Sequence, residues 1–289
     1  MAHNDLQTKY EEVDIIMNNL LDNYINKKTA VLINPKAFEI CSAERRIERL
    51  LKPENGIDAA MYYAAKGIVY AAKGQYTRAK DSYRKAIKLN PGSDLFFSNY
   101  NNILIGASEF EEAKENLDNY FSQGGKDYSL LKNLFNSSMH DLDFSAFKKH
   151  YDSIKNESSL SFVKGLSNHY ENIENLELLS KELDYINIDK NLFSEFYKLL
   201  SSFYSSYIYD SMSCVFEIDV EDEYLFLTVY TKLLDKDILS ITSRFEEYIV
   251  DSAISRNNSQ LLSKFAVFYR NDGDFYESNT SPMYSSLEV

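Results

Sequence analysis

At 289 residues the chain has room for two ordinary domains or for one array of repeated units. Its 44% hydrophobic and 26% charged residues argue against wholesale disorder, and 9 glycines with 4 prolines are too few for collagen-like or linker-rich architecture. A formal charge of −13, from 31 basic and 44 acidic residues, sets the chain against general nucleic-acid binding, because phosphate affinity comes from clustered Lys and Arg.

Cys41 and Cys214 lie far apart and outside any close-spaced cysteine motif, so neither a disulfide scaffold nor a cysteine-rich zinc site is expected. The opening residues lack a basic segment followed by an apolar run, and no stretch approaches 18 uninterrupted apolar residues. Neither a secretory leader nor integral membrane association is therefore expected, and the cytoplasm is the default location.

In chain order, Tyr10, Val13, Ile16, Met17, Leu20, Leu21, Tyr24 and Ile25 recur three or four places apart and predict an amphipathic helix. Asn34-Pro35 reads as the start of a second helix, with Phe38, Cys41, Ile47, Leu50 and Leu51 on one face. From Ala60 to Pro91 the chain reads as two short helices around a turn. Gly67 permits close helix approach beside Tyr63 and Tyr70, and Gly74 marks the turn. Ala79, Tyr83 and Ala86 alternate small and large volumes, and Asn90-Pro91 ends the second helix.

The ordered set Gly67, Tyr70, Gly74, Tyr76, Ala79, Tyr83, Ala86 and Pro91 resembles a tetratricopeptide repeat, a helix–turn–helix unit; Tyr63 stands where Trp is commoner and Lys66 where Leu is usual. A weaker copy follows from Asp94 to about Asp127. Ser93 is its N-cap, Ser108 with Glu111 offers a capping box, and Asn101 and Gly125 replace the family's Gly and Pro. A third helical pair is expected over Tyr128 to Asn156, and further helix through Phe162–Leu166, Ile173–Ile186 and Leu192–Tyr209.

After Ser211 the period changes. Val215 to Val220 and Tyr224 to Tyr230 predict a hairpin across Glu221-Asp222, Ile241 to Ile254 predicts a helix, and Ala266 to Tyr269 a final short strand. The expected fold is mainly alpha: stacked antiparallel helix–turn–helix repeats, a tetratricopeptide-like solenoid, over 1–210 and clearest at 60–127. A small carboxy-terminal α+β module follows over 211–272, and 273–289 reads as a flexible tail.

No signature of bond chemistry emerges. His3, His140, His150 and His169 form neither HExxH nor a triad order, and the Asp219–Glu223 run lacks calcium-loop spacing. Acidic pairs such as Glu11-Glu12, Glu111-Glu112 and Glu246-Glu247 read as solvated faces, and no glycine-rich phosphate loop or GxSxG elbow occurs. No catalytic residue, cofactor or metal ligand is assigned. Lys73, Arg78, Lys80, Arg84, Lys85 and Lys88 form a local basic helix region, the one feature that favours RNA association.

The resemblance also implies a surface. Met61, Ala64, Ile68 and Ala71 match positions that line the inner groove of such repeats, with Leu95, Ser98, Asn99, Asn102 and Ile105 on the corresponding side of the next unit. Some tetratricopeptide modules clamp a partner's terminal carboxylate with Lys and Asn. Ala64 and Ile68 occupy the first-unit positions here, and Ser129 and Asn133 stand where basic residues are placed, which disfavours that clamp. The expected function is a non-enzymatic adaptor or regulator presenting a repeat groove to a protein or peptide. The alternative is a regulatory or antitoxin-like subunit that controls a partner enzyme or toxin. Homo- and hetero-oligomers stay open.

Overall fold

The computed structural model describes residues 11–17, 19, 31–33, 36–50, 58–155, 161–209, 212–271 and 287–288. The expected features at Leu20 to Ile25, at Asn34-Pro35 and across the tail residues 272–286 and 289 lie outside the described residues. The chain divides into two compact units, Met1–Ala107 with Ser205–Tyr209, and Ser108–Tyr204 with Asp210–Val289.

The first unit contains α1 (11–17), β1 (Val31–Leu32), α2 (Phe38–Leu50), α3 (Ala59–Ala72), α4 (Tyr76–Leu89), α5 (Asp94–Gly106) and β2 (Ile208–Tyr209). α2 packs on α3, α3 on α4 and α4 on α5. The three- and four-residue spacing read from the sequence places Val13, Ile16 and Met17 of α1 in one apolar cluster with Ile40, Ala43 and Ile47 of α2 and with Ala65 and Val69 of α3. A two-rung antiparallel ladder pairs Val31 with Tyr209 and Leu32 with Ile208, and the Ile33 N–H donates to the Tyr207 carbonyl at 2.7 Å. Strands of two residues are too short to carry an alternating pattern, so this ladder has no sequence signature.

The second unit opens with α6 (Phe110–Ser122), α7 (Leu130–Ser138), α8 (Ser145–Ile154), α9 (Ser161–Tyr185) and α10 (Lys190–Tyr207), the last of which ends in the first unit. α7 packs against α6, α8 and α9. At its centre the Phe135 ring meets Phe144 at 5.1 Å, Phe147 at 5.4 Å and His169 at 4.8 Å between centroids. The expected capping box does not form. Ser108 sits at φ 60°, the N-cap is Glu109, and no side chain caps α6. In this left-handed geometry the Ser108 hydroxyl makes no hydrogen bond to the α6 amides.

The rest of this unit is a mixed sheet with strand order β5-β4-β3-β6, built from β3 (Ser213–Asp219), β4 (Tyr224–Thr231), β5 (Phe265–Asn271) and β6 (Leu287–Glu288). β3 and β4 are antiparallel, from Ser213↔Tyr230 to Asp219↔Tyr224. β4 and β5 are parallel and are joined through α11 (Asp235–Arg256) and α12 (Gln260–Ser263), which both pack on β5. Leu225, Leu227 and Val229 face the core, whereas Tyr224, Phe226 and Thr228 between them are half-buried. The chain is thus a mainly helical protein with repeated helix-pair packing and a small carboxy-terminal α/β module.

Ion pairs tie the second unit together and give it a pH dependence. His150 Nε2 lies 2.6 Å from Asp118 Oδ1, and Lys149 Nζ lies 3.4 Å from the same oxygen. The His150 hydrogen bond, with the Lys149 charge, holds the Asp118 carboxyl below its ordinary range. A carboxyl depressed in the folded state stabilises above its unfolded pKa, about 4, and that contribution is lost as pH falls through the folded value. Acid titration of thermal stability is expected to show less loss below about pH 4 in Asp118→Asn than in wild type. Superimposable acid limbs for the two proteins would rule the pairing out.

Candidate protein-binding surface

Local chemistry dictates how α3 and α4 meet. Asp58 caps α3, its Oδ1 accepting from the Ala60 N–H at 2.9 Å. A Cβ at Gly67 would lie 2.4 Å from two ring carbons of Tyr83, so the absent side chain is what lets the Tyr83 ring lie on α3. Gly74, at φ 69°, ends the helix while its N–H reaches the Ala71 carbonyl at 2.8 Å and the Gln75 N–H reaches the Tyr70 carbonyl at 2.8 Å. Ala79, Tyr83 and Ala86 form the buried stripe of α4. Ser93 then caps α5, accepting from the Phe96 N–H at 3.3 Å. Buried Asn101, at the position that Gly67 takes in the preceding helix pair, turns its amide back to the Phe97 carbonyl at 2.9 Å.

The nine residues expected to form a groove all lie on α3 and α5, yet in different settings. On α3, Ala64 is 3% exposed, and half-buried Met61 and Ile68 pack against the cluster shared with α1 and α2; Ala71 is half-buried. On α5, Leu95 is 60% exposed and Asn102 is exposed, while Ser98, Asn99 and Ile105 are half-buried. Burial raises the Tyr83 hydroxyl pKa, and the Asn99 side chain offsets part of that rise, so Asn99 also borders the α4 packing. The α5 residues Leu95 and Asn102 are therefore the open part of the set.

The basic helix region resolves into a set of tyrosine contacts that sequence reasoning did not pair. The Arg78 guanidinium lies 4.2 Å from the Tyr70 ring centroid and donates to the Tyr70 hydroxyl at 3.1 Å and to Gln75 Oε1 at 3.0 Å. Lys85 Nζ stands 5.3 Å over the Tyr63 ring, and Arg84 Nε donates to the Tyr100 hydroxyl at 2.8 Å. Lys73, in contrast, ends 2.6 Å from Glu44. Alternation of tyrosine on α3 and α5 with base on α4 was the available signal.

Among the described residues no group of three or more His, Cys, Asp and Glu side chains is placed to hold a metal, and no helix is long and apolar enough to cross a membrane. His140 stands 3.9 Å from adjacent Asp141 through its Nδ1, but its shorter contacts lie elsewhere. Its Nδ1 lies 2.7 Å from the Ser137 carbonyl and its Nε2 lies 3.3 Å from Glu111, while Asp141 binds Lys114 at 2.8 Å. Burial pushes the Cys214 thiol up to about 12, which leaves it protonated and inert near neutral pH. Cys41 and Cys214 are both free.

With the Gly67–Tyr83 packing and the Gly74 turn in place, comparison with family models settles what this hairpin is. Residues 60–93 match the tetratricopeptide repeat. The match covers α3, α4 and the turn into α5, and the repeat assignment is confined to that stretch. No curated protein and no solved structure matches the chain.

Proposed function

We propose that the chain is a non-enzymatic adaptor or regulator in the cytoplasm, which binds a protein or peptide segment on the repeat surface of its first unit. The tetratricopeptide match at 60–93 carries this reading, because stacked helix pairs present a broad recognition surface without cofactor or nucleophile. In this proposal the helical array spans 1–210 and the module at 211–272 is its carboxy-terminal attachment. Met61, Ala64, Ile68 and Ala71 set the floor of the surface. Leu95 and Ile105 add apolar contact, and Ser98, Asn99 and Asn102 select polar or backbone groups of the partner.

Affinity capture with the full chain, followed by calorimetry on the recovered partner, tests the assignment. Leu95→Asp puts a charge at the most open apolar position without touching the α1–α2–α3 cluster, and is expected to weaken binding about tenfold or more. The double change Asn99→Ala with Asn102→Ala is expected to alter affinity or selectivity while helix content stays near wild type. Wild-type affinity in both proteins would place the partner elsewhere.

A further inference from the structure

The outward face of α4 has a second use, independent of the surface proposed above. At 100° per residue, Arg78, Lys85, Lys88 and Leu89 fall on one exposed side of the helix, opposite the buried stripe of Ala79, Tyr83 and Ala86. Asp81 is the single acid on that side, and Leu89 is 54% exposed at its end. Several other lysines among the described residues are folded onto carboxylates: Lys73 on Glu44, Lys114 on Asp141 and Asp143, Lys148 on Glu177, and Lys264 on Glu223. On α4 the contacts described for Arg78 and Lys85 go to tyrosine rings, a tyrosine hydroxyl and an amide oxygen, all of them neutral.

Neutral partners restrain a cation without cancelling its charge. The Tyr70 and Tyr63 rings therefore hold a positive stripe in place on a chain of net charge −13, and part of the side-chain ordering that binding requires is complete in advance. The geometry points to this stripe as a docking surface for an acidic protein segment, its carboxylates meeting Arg78, Lys85 and Lys88 and a large apolar side chain meeting Leu89.

A nucleic acid fits this face less well, for two reasons. Single-stranded binding draws much of its energy from bases stacked on open aromatic faces. Here Arg78 and Lys85 cover Tyr70 and Tyr63, and Tyr83 is buried against Gly67. A polyanion also carries many charges into the repulsive field of the whole acidic chain, whereas a short acidic segment brings few.

Fluorescence anisotropy on the full chain tests the assignment. The probes are a labelled helix-forming peptide of glutamates with leucine at i, i+4 spacing, the same peptide with glutamine for glutamate, and single- and double-stranded oligonucleotides of matched charge. The acidic peptide is expected to bind, to weaken with added salt, and to exceed the glutamine peptide and both oligonucleotides by about tenfold. Arg78→Gln with Lys85→Gln is expected to lower its affinity about tenfold. Lys88→Glu with Leu89→Glu disturbs none of the tyrosine contacts, so it separates lost binding from lost folding and is expected to act as strongly. Leu95→Asp is expected to leave this affinity unchanged, which distinguishes the stripe from the repeat surface. Absence of acidic-peptide binding, equal binding of the glutamine peptide, or wild-type affinity in the Lys88/Leu89 protein overturns the proposal. Tighter binding of either oligonucleotide than of the peptide assigns the face to nucleic acid instead.

Discussion

Gly67→Leu is expected to destabilise the first unit by roughly 1–3 kcal/mol, since even a Cβ at this position would overlap the Tyr83 ring at 2.4 Å. Gly67→Ala makes the sharper test. In an open helix interior that change stabilises by about 0.5–1 kcal/mol through backbone entropy. Here the gain is opposed by overlap with a fully buried ring whose neighbours leave it little room to shift. Net destabilisation in equilibrium unfolding, relieved when Tyr83 is also changed to Leu, is the expected pattern. A stabilised Gly67→Ala protein would show that the two helices do not meet at this point.

The second large effect belongs to the other unit. Phe135 is fully buried, and its ring touches Phe144 and Phe147 of the α7–α8 pair and His169 of α9. Phe135→Ala removes the group on which three helices converge and is expected to cost about 3–5 kcal/mol. Phe135→Leu keeps most of the volume and should cost much less. Loss of cooperative thermal unfolding in the alanine protein, with retention in the leucine protein, checks both statements. Equal stability of Phe135→Ala and wild type would contradict the packing described.

These packing contacts were legible in the sequence to different degrees. The α3–α4 hairpin was readable because close helix approach needs a missing Cβ on one side and a ring on the other, and Gly67 and Tyr83 supply both at repeat spacing. Ser93 as a cap and the helices from Leu130 onward followed from equally local rules. The β3–β4 hairpin emerged where alternation changed, although its turn carried no Asn-Gly. The turn is made instead by Asp219, whose Oδ1 accepts from the Glu221 and Asp222 amides at 3.0 and 3.1 Å, and by Glu223 at φ 56°. The fault at Ser108 has the opposite origin. A Ser three residues before a Glu satisfies the local rule, but the backbone there adopts left-handed geometry and the rule does not apply.

The candidate surface was legible as a set of positions and illegible as a set of exposures. Helical spacing put Met61, Ala64 and Ile68 on one side of α3. It could not reveal that the cluster centred on Ile40, Ala43 and Ile47 abuts that side. The cationic stripe was read as a charge count. What sets Arg78 and Lys85 apart is the neutral ring each one holds, and that depends on where Tyr70 and Tyr63 come to rest.

The ladder between β1 and β2 has a consequence for how the chain is made. Val31 and Tyr209 are partners, and the whole of α6 to α9 lies between them in sequence. On the ribosome α2 to α5 can pair as they emerge, because their contacts are between neighbours in sequence. The ladder cannot close until about a hundred further residues have been added, a wait on the order of 5–20 s at ~5–20 residues per second. Nascent chains arrested before Ser205 should therefore protect the α3–α4 amides from hydrogen exchange but not the Ile33 amide, which gains its Tyr207 acceptor last.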